Sequence, residues 1–200
     1  LLLRAIAQTG QIKRFASRTL ILNEGDPGDS LYVILSGRVK AFSASPTGKE
    51  VVFHVLGKGE YLGELALDGG VWSSSVMTLE PTTVSVVPSE SFRRFVAQHP
   101  DFALNLIYKL IHTVRHATEN IKGLALEDVH SRVVRLLTST AILIGGRRVI
   151  AERLTQQDIA DRVGSSREMV SRVFKELTRS GYIMVEGRQI ILLKGPAATL

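Results

Sequence analysis

The segment from Leu154 to Leu177 constrains this chain more than any other. Thr155 is followed three residues later by Asp158. That spacing predicts a capping box, in which the hydroxyl takes an orphan backbone N–H and the carboxylate reaches back. A short helix follows, with Ile159 and Val163 on its inner face and Ala160 small enough for a second helix to cross. Gly164 permits the backbone to turn. Ser165 with Glu168 is expected to cap the next helix in the same manner. Two capped helices joined by a tight glycine turn have the helix-turn-helix geometry.

At about 100° per residue, with Arg167 set at 0°, Ser171 falls near 40°, Lys175 near 80°, Glu168 near 100° and Arg172 near 140°. Met169, Val170, Val173, Phe174 and Leu177 fill the opposite arc. Such a helix buries its apolar side and offers its polar side to a major groove. There Arg pairs bidentately with guanine and Glu accepts from cytosine. Tyr182–Val185, the Glu186-Gly187 turn and Arg188–Leu193 read as a β-hairpin, the wing of a winged helix. The charge agrees. Residues 1–128 hold 13 Lys+Arg and 13 Asp+Glu, whereas residues 129–200 hold 12 and 6, so the whole net charge of +6 lies in the last third. A neutral module joined to a basic one suits a polyanionic partner.

Before that segment the pattern changes twice. From Gln11 to Val87, short runs such as Leu31–Leu35, Val51–Val55 and Val84–Val87 alternate with turns rich in Gly, Asp and Pro, which predicts a β barrel or sandwich. After Pro100-Asp101, Ala103, Ile107, Leu110, Val114, Ala117, Ile121 and Leu124 recur at gaps of four and three. This is a heptad seam on one long helix running to about Glu127. It packs either on its own domain or, the reading favoured here, on a second copy in a parallel homodimer. Leu126–Asp128 is the expected hinge, and a further helix is expected over Val129–Leu143, ended by Gly145-Gly146. The tail from Gly195 has no pattern.

Composition narrows the chemistry. The chain has no Cys, which removes disulfides, thiol nucleophiles and Cys-held metals and fits a reducing compartment, the cytoplasm. No apolar run approaches the roughly 20 residues of a membrane helix. Leu1–Leu3, interrupted by Arg4, is too short for a signal peptide, and without an initiator Met the chain is read as a trimmed fragment whose true start is unknown. No phosphate-cradling GxxxxGK[ST] and no GxSxG elbow occur, so no enzyme is expected. Nor is a metal site. His54, His99, His112, His116 and His130 are haem-ligand candidates by count alone; His112 and His116 are four apart but lack the Glu of a zinc-protease motif and lie off the seam, so they read as solvated helix histidines.

Three signatures in order carry a resemblance. Glu24–Val39 is similar to a cyclic-nucleotide-binding β-roll, Gly63-Glu-Leu-Ala-Leu to that fold's phosphate-binding cassette, and Ser166-Arg167-Glu168 with Arg172 to a recognition helix. Together they resemble the cyclic-AMP receptor protein and fumarate–nitrate regulator (Crp/Fnr) superfamily of transcription factors, over nearly the whole chain. The resemblance implies an α+β architecture: an effector-sensing β-roll over 1–100, a dimerisation helix and hinge over 101–128, and a winged helix-turn-helix over 129–200. It implies a homodimer on a palindromic, TGTGA-like site, with RNA polymerase as a further partner. Arg167 and Arg172 would read guanines and Glu168 the opposing cytosine. Gln156, Ser166 and Lys175 would hold phosphates, and Ser171 shares their arc.

The effector site departs from the family's pattern, which needs Gly-Glu and then Arg-Ser across the loop. In the family the Glu takes the ribose and the Arg and Ser take the cyclic phosphate. Gly63, Glu64 and Leu65 are present and Ser73 or Ser74 is available, but the Arg position falls on Trp72 (or on Ser73 if the loop is gapped differently). No Lys or Arg occurs between Lys58 and Arg93. The family's Thr-Ser pair on the long helix maps to Ala117 and Thr118. Loss of a charge-assisted contact worth about 1.5–3 kcal/mol lowers cyclic-AMP affinity by roughly one to two decades. Either the pocket takes another ligand, with Trp72 stacking on a ring or filling space, or the dimer binds DNA with no small effector. Backbone N–H groups at the Glu64 turn offer a weak anion site. A rival reading is a regulatory nucleotide-binding module that acts on a protein partner rather than on DNA.

Overall fold

A computed structural model describes residues 2–187 and 189–193. The chain divides into two compact units, residues 1–115 and 116–200.

The first unit is built on two four-stranded sheets. One holds β1 (Gln11–Phe15), β8 (Thr82–Pro88), β3 (Ser30–Ser36) and β6 (Tyr61–Leu62), in that order; the other holds β2 (Leu20–Leu22), β7 (Ser75–Thr78), β4 (Arg38–Ala44) and β5 (Glu50–Gly57). Every pairing is antiparallel. The uninterrupted apolar run at Leu31 has a physical reason: β3 is covered on both faces. Ile34 points between the sheets with Val39, Leu62, Trp72, Val76 and Val84. Leu31 and Val33 point the other way, onto Ile6, Phe92, Phe95, Phe102 and Leu106.

Those covering residues come from α1 (Leu2–Ala7), α2 (Ser89–Gln98) and the first turns of α3 (Pro100–Leu126). The strand pattern gave no notice of α1 or α2. Phe92 and Phe95 of α2 lie almost one turn apart and are both buried, and Phe92 and Phe95 each meet Phe102 of α3 edge-on.

The second unit begins its own fold with α4 (Val129–Thr140), whose N-cap Asp128 accepts from the Ser131 N–H at 2.7 Å. The expected helix to Leu143 stops three residues early. Ala141–Ile144 instead forms β9, paired with β10 (Arg147–Ile150) across Gly145-Gly146, both with positive φ. Two such residues favour a hairpin whose twist suits its strands. The hairpin joins the wing strands β11 (Ile183–Glu186) and β12 (Gln189–Leu192) in one sheet, ordered β11-β12-β10-β9. Arg188 at the wing turn and the tail from Gly195 lie outside the described residues.

Between these hairpins lie α5 (Gln156–Val163) and α6 (Arg167–Arg179). Val133, Leu137, Ile150, Ile159, Val170, Phe174 and Ile183 draw α4, α5, α6 and the sheet onto one core. Among the described residues no helix is long and apolar enough to cross a membrane.

Candidate nucleic-acid interface and effector site

The start of α5 is held as its spacing predicts. The Thr155 hydroxyl accepts from the Asp158 N–H at 3.1 Å, and the Asp158 carboxylate accepts from the Thr155 N–H at 2.7 Å. Gly164 ends the helix at φ 65°, ψ 41°. A Cβ there would stand in left-handed backbone and lie 3.0 Å from the Leu124 side chain.

The cap of α6 is Ser166, not Ser165. Its hydroxyl accepts from the Met169 N–H at 3.2 Å, so the residue three beyond the cap is Met169, and no reciprocal box forms with Glu168. Glu168 stays fully exposed at the helix start, its carboxyl held below the ordinary carboxylate range by its own backbone N–H and by the Ser166 hydroxyl. The resulting negative charge also suits the positive end of the helix dipole.

The faces of α6 separate as the wheel requires, with one exception. Val170, Val173, Phe174 and Leu177 are buried, while Met169, expected in the apolar arc, is 39% exposed. Its place in the first turn, at the edge of the apolar arc, leaves it only partly covered. Arg167, Glu168, Arg172 and Lys175 are exposed, and Ser171 and Gln156 are half-buried. Arg172 and Lys175 form no ion pair among the described residues.

Several other cations of the unit are engaged. Arg162 pairs with Glu152 at 2.9 Å. Arg132, which the sequence did not mark, donates to the Glu127 carbonyl at 2.9 Å and the Val163 carbonyl at 3.0 Å. One guanidinium thereby closes carbonyls at the C-terminal ends of α3 and α5, where helices leave acceptors unmet.

In the first unit, Gly63 precedes a short 3-10 helix over Glu64–Leu67, with φ 91°. A Cβ on Gly63 would come within 2.5 Å of the Ser30 carbonyl and 3.0 Å of the Trp72 indole. Trp72 is 7% exposed and packs into the core between the sheets. Its ring meets Tyr32 edge-on at 6.0 Å. Ser73 and Leu65 are exposed and Ser74 half-buried, while Thr118, on the second-unit part of α3, is exposed.

Glu64 has a partner that no local spacing announces. Its carboxylate lies 3.0 Å from Lys109 Nζ of α3, with the two side chains only 15% and 27% exposed. The same ammonium donates to the Tyr61 carbonyl and lies 3.8 Å from the Tyr61 ring centroid. Burial, with the nearby Glu64 charge, pushes the Tyr61 phenol up to about 12. A second cation from outside the cassette, Arg93 of α2, donates to the Leu67 carbonyl at 2.9 Å.

Two family models match in the order of these units: a cyclic nucleotide-binding domain over residues 12–99 and a Crp-like helix-turn-helix domain over 131–198. A CRP-like cAMP-activated global transcriptional regulator of Mycobacterium tuberculosis is 31% identical over 177 residues, covering 86% of this chain and 79% of the relative. The chain belongs to the Crp/Fnr superfamily of DNA-binding transcriptional regulators. Solved Crp/Fnr structures share its architecture. A c-di-GMP responsive global regulator of Xanthomonas campestris aligns with a TM-score of 0.80 at 24% identity, over 96% of this chain and 98% of that one. A CRP/FNR-family transcriptional regulator of Thermus thermophilus aligns at 0.68 and 26% identity, over 92% and 94%.

Proposed function

We propose that the chain acts as a homodimer on a palindromic, TGTGA-like site, each copy laying α6 in the major groove of one half-site. The observation that carries this reading is the division of α6 into a buried apolar face and an exposed face bearing Arg167, Glu168, Arg172 and Lys175. On it, Arg167 and Arg172 read guanine O6 and N7, and Glu168 accepts from the opposing cytosine. The carboxyl of Glu168, held ionised by its local hydrogen bonds, suits an acceptor role. Lys175, Ser166 and Gln156 hold phosphates and Ser171 lies between the two sets. Phosphate contacts fix register and base contacts carry sequence information.

The α3 seam supports the dimer. Ile107, Val114, Ile121 and Leu124 are at least half exposed in the single chain, an apolar stripe that a second copy would cover. Two-fold symmetry then presents two α6 helices to half-sites about 34 Å apart. The functional division follows the sequence: residues 1–100 sense, 101–128 dimerise and hinge, 129–200 bind. RNA polymerase, in the cytoplasm, is the partner proposed on the strength of the family relation. The effector of the β-roll is not cyclic AMP in the usual mode, because no cation stands in the Arg position of the cassette. The effectors named for relatives already differ, cAMP in one and c-di-GMP in another.

Fluorescence anisotropy with a TGTGA palindrome and a random duplex at several salt concentrations tests the reading. The palindrome should bind more tightly, with affinity falling steeply with salt. Arg167→Ala should weaken specific binding by about 1–3 kcal/mol and relax the preference at one base. A parent protein that treats both duplexes alike overturns the assignment.

A further inference from the structure

We propose that the β-roll is closed to cyclic nucleotides by two of its own side chains, Trp72 from inside the roll and Lys109 from α3, so that DNA binding needs no such ligand. This rests on the DNA-binding reading above and names the residues that set what its sensing site accepts.

By the family resemblance, a nucleotide in the cassette lies between the Gly63-Glu64 backbone and the residue at position 72, and here the Trp72 side chain packs against that backbone. The Trp72 indole is close enough to Gly63 that a single added carbon would be 3.0 Å from it. The ring is also locked by burial in the core and by its edge contact with Tyr32. Moving it out would expose one of the largest apolar side chains of the unit and leave a cavity behind.

The carboxylate that should receive a ribose hydroxyl is satisfied as well. Lys109 supplies a full positive charge at 3.0 Å, itself fixed by the Tyr61 carbonyl and the face of the Tyr61 ring. A neutral hydroxyl competes poorly with a partly desolvated ammonium for the same oxygen. Nor would a cyclic phosphate gain by arriving. The loop carries no Lys or Arg from Gly59 to Phe92, and the two cations that reach it from helices are engaged, Lys109 by Glu64 and Arg93 by the Leu67 carbonyl. The contact also ties the cassette to α3 by an internal charge where a ligand would otherwise bridge them.

The test uses the full chain, in which Trp72 is the single tryptophan. Cyclic AMP and cyclic GMP are titrated to about 1 mM, a range reaching weak millimolar affinities, while Trp72 emission and palindrome anisotropy are followed. Neither signal should move. A saturable change of either one overturns the proposal. The double variant Trp72→Arg, Lys109→Met is expected to gain nucleotide binding at least tenfold over the parent, read as a rise in melting temperature. A double variant that melts cooperatively and still ignores the nucleotide also overturns it. If that variant does not fold, the parent titration alone decides. A parent that fails to distinguish palindrome from random duplex sinks the DNA-binding reading, whereas the Trp72 signal reports on closure of the roll either way.

Discussion

Around Glu64 the chain answers its own charges: Lys109 takes the carboxylate, Tyr61 takes Lys109, and Arg93 takes the Leu67 carbonyl. Along the outer side of α6, Arg172 and Lys175 reach solvent with no ion pair among the described residues, and Glu168 is held ionised and fully exposed. Both regions carry motifs of one superfamily, but the charges of the first are paired within the unit whereas the cations of α6 face solvent. On the closure proposed above, a family motif alone does not make a site. What counts is whether neighbours have already consumed its hydrogen-bonding and charge capacity.

The widest gap between the two regions should show under truncation. Trp72→Ala should lower the stability of the first unit by about 3–5 kcal/mol, as for other buried aromatic side chains, measured by chemical denaturation. A loss below about 1 kcal/mol, less than burial of an aromatic ring implies, would mean that the indole does not fill the roll. On the open face the same type of change should leave stability alone and act on DNA. Arg172→Ala should reduce palindrome affinity by about 1–3 kcal/mol with an unchanged melting curve; equal loss on a random duplex would reassign it to phosphate.

A smaller effect separates scaffold from reader within the second unit. Thr155→Ala removes the cap of α5 and should cost about 1 kcal/mol of stability, seen as an earlier denaturation midpoint, with duplex affinity falling only as far as folding does. The last and slightest effect is a matter of pH. The Asp128 carboxyl is held below its ordinary range chiefly by the Ser131 N–H. Its stabilising contribution is therefore complete above the ordinary carboxylate range and lost as pH falls through the depressed value. Asp128→Asn should flatten the acid limb of the stability profile only there; flattening near neutral pH would point to another group.

Much of the second unit was readable along the chain because its determinants are local. Thr155 with Asp158, Gly164 and the α6 periodicity act over three or four residues, where spacing alone fixes who meets whom. Even there, Ser165 and Ser166 were equivalent by type, and only the backbone conformation at Ser166 made it the cap. Met169 lay in the apolar arc by angle but is covered only in part. The early end of α4 at Thr140 was decided by sheet partners: Ala141–Ile144 gains β10 as a neighbour, which no helical propensity reveals.

The order of residues was enough to settle where the turns, caps and amphipathic faces fall, and hence which side of α6 is polar, since these depend on intervals along one stretch of backbone. It took the packed molecule to wall Trp72 into the roll and to set Lys109 against Glu64. Those contacts join elements distant in the chain, and their existence follows from how the sheets and helices close on one another.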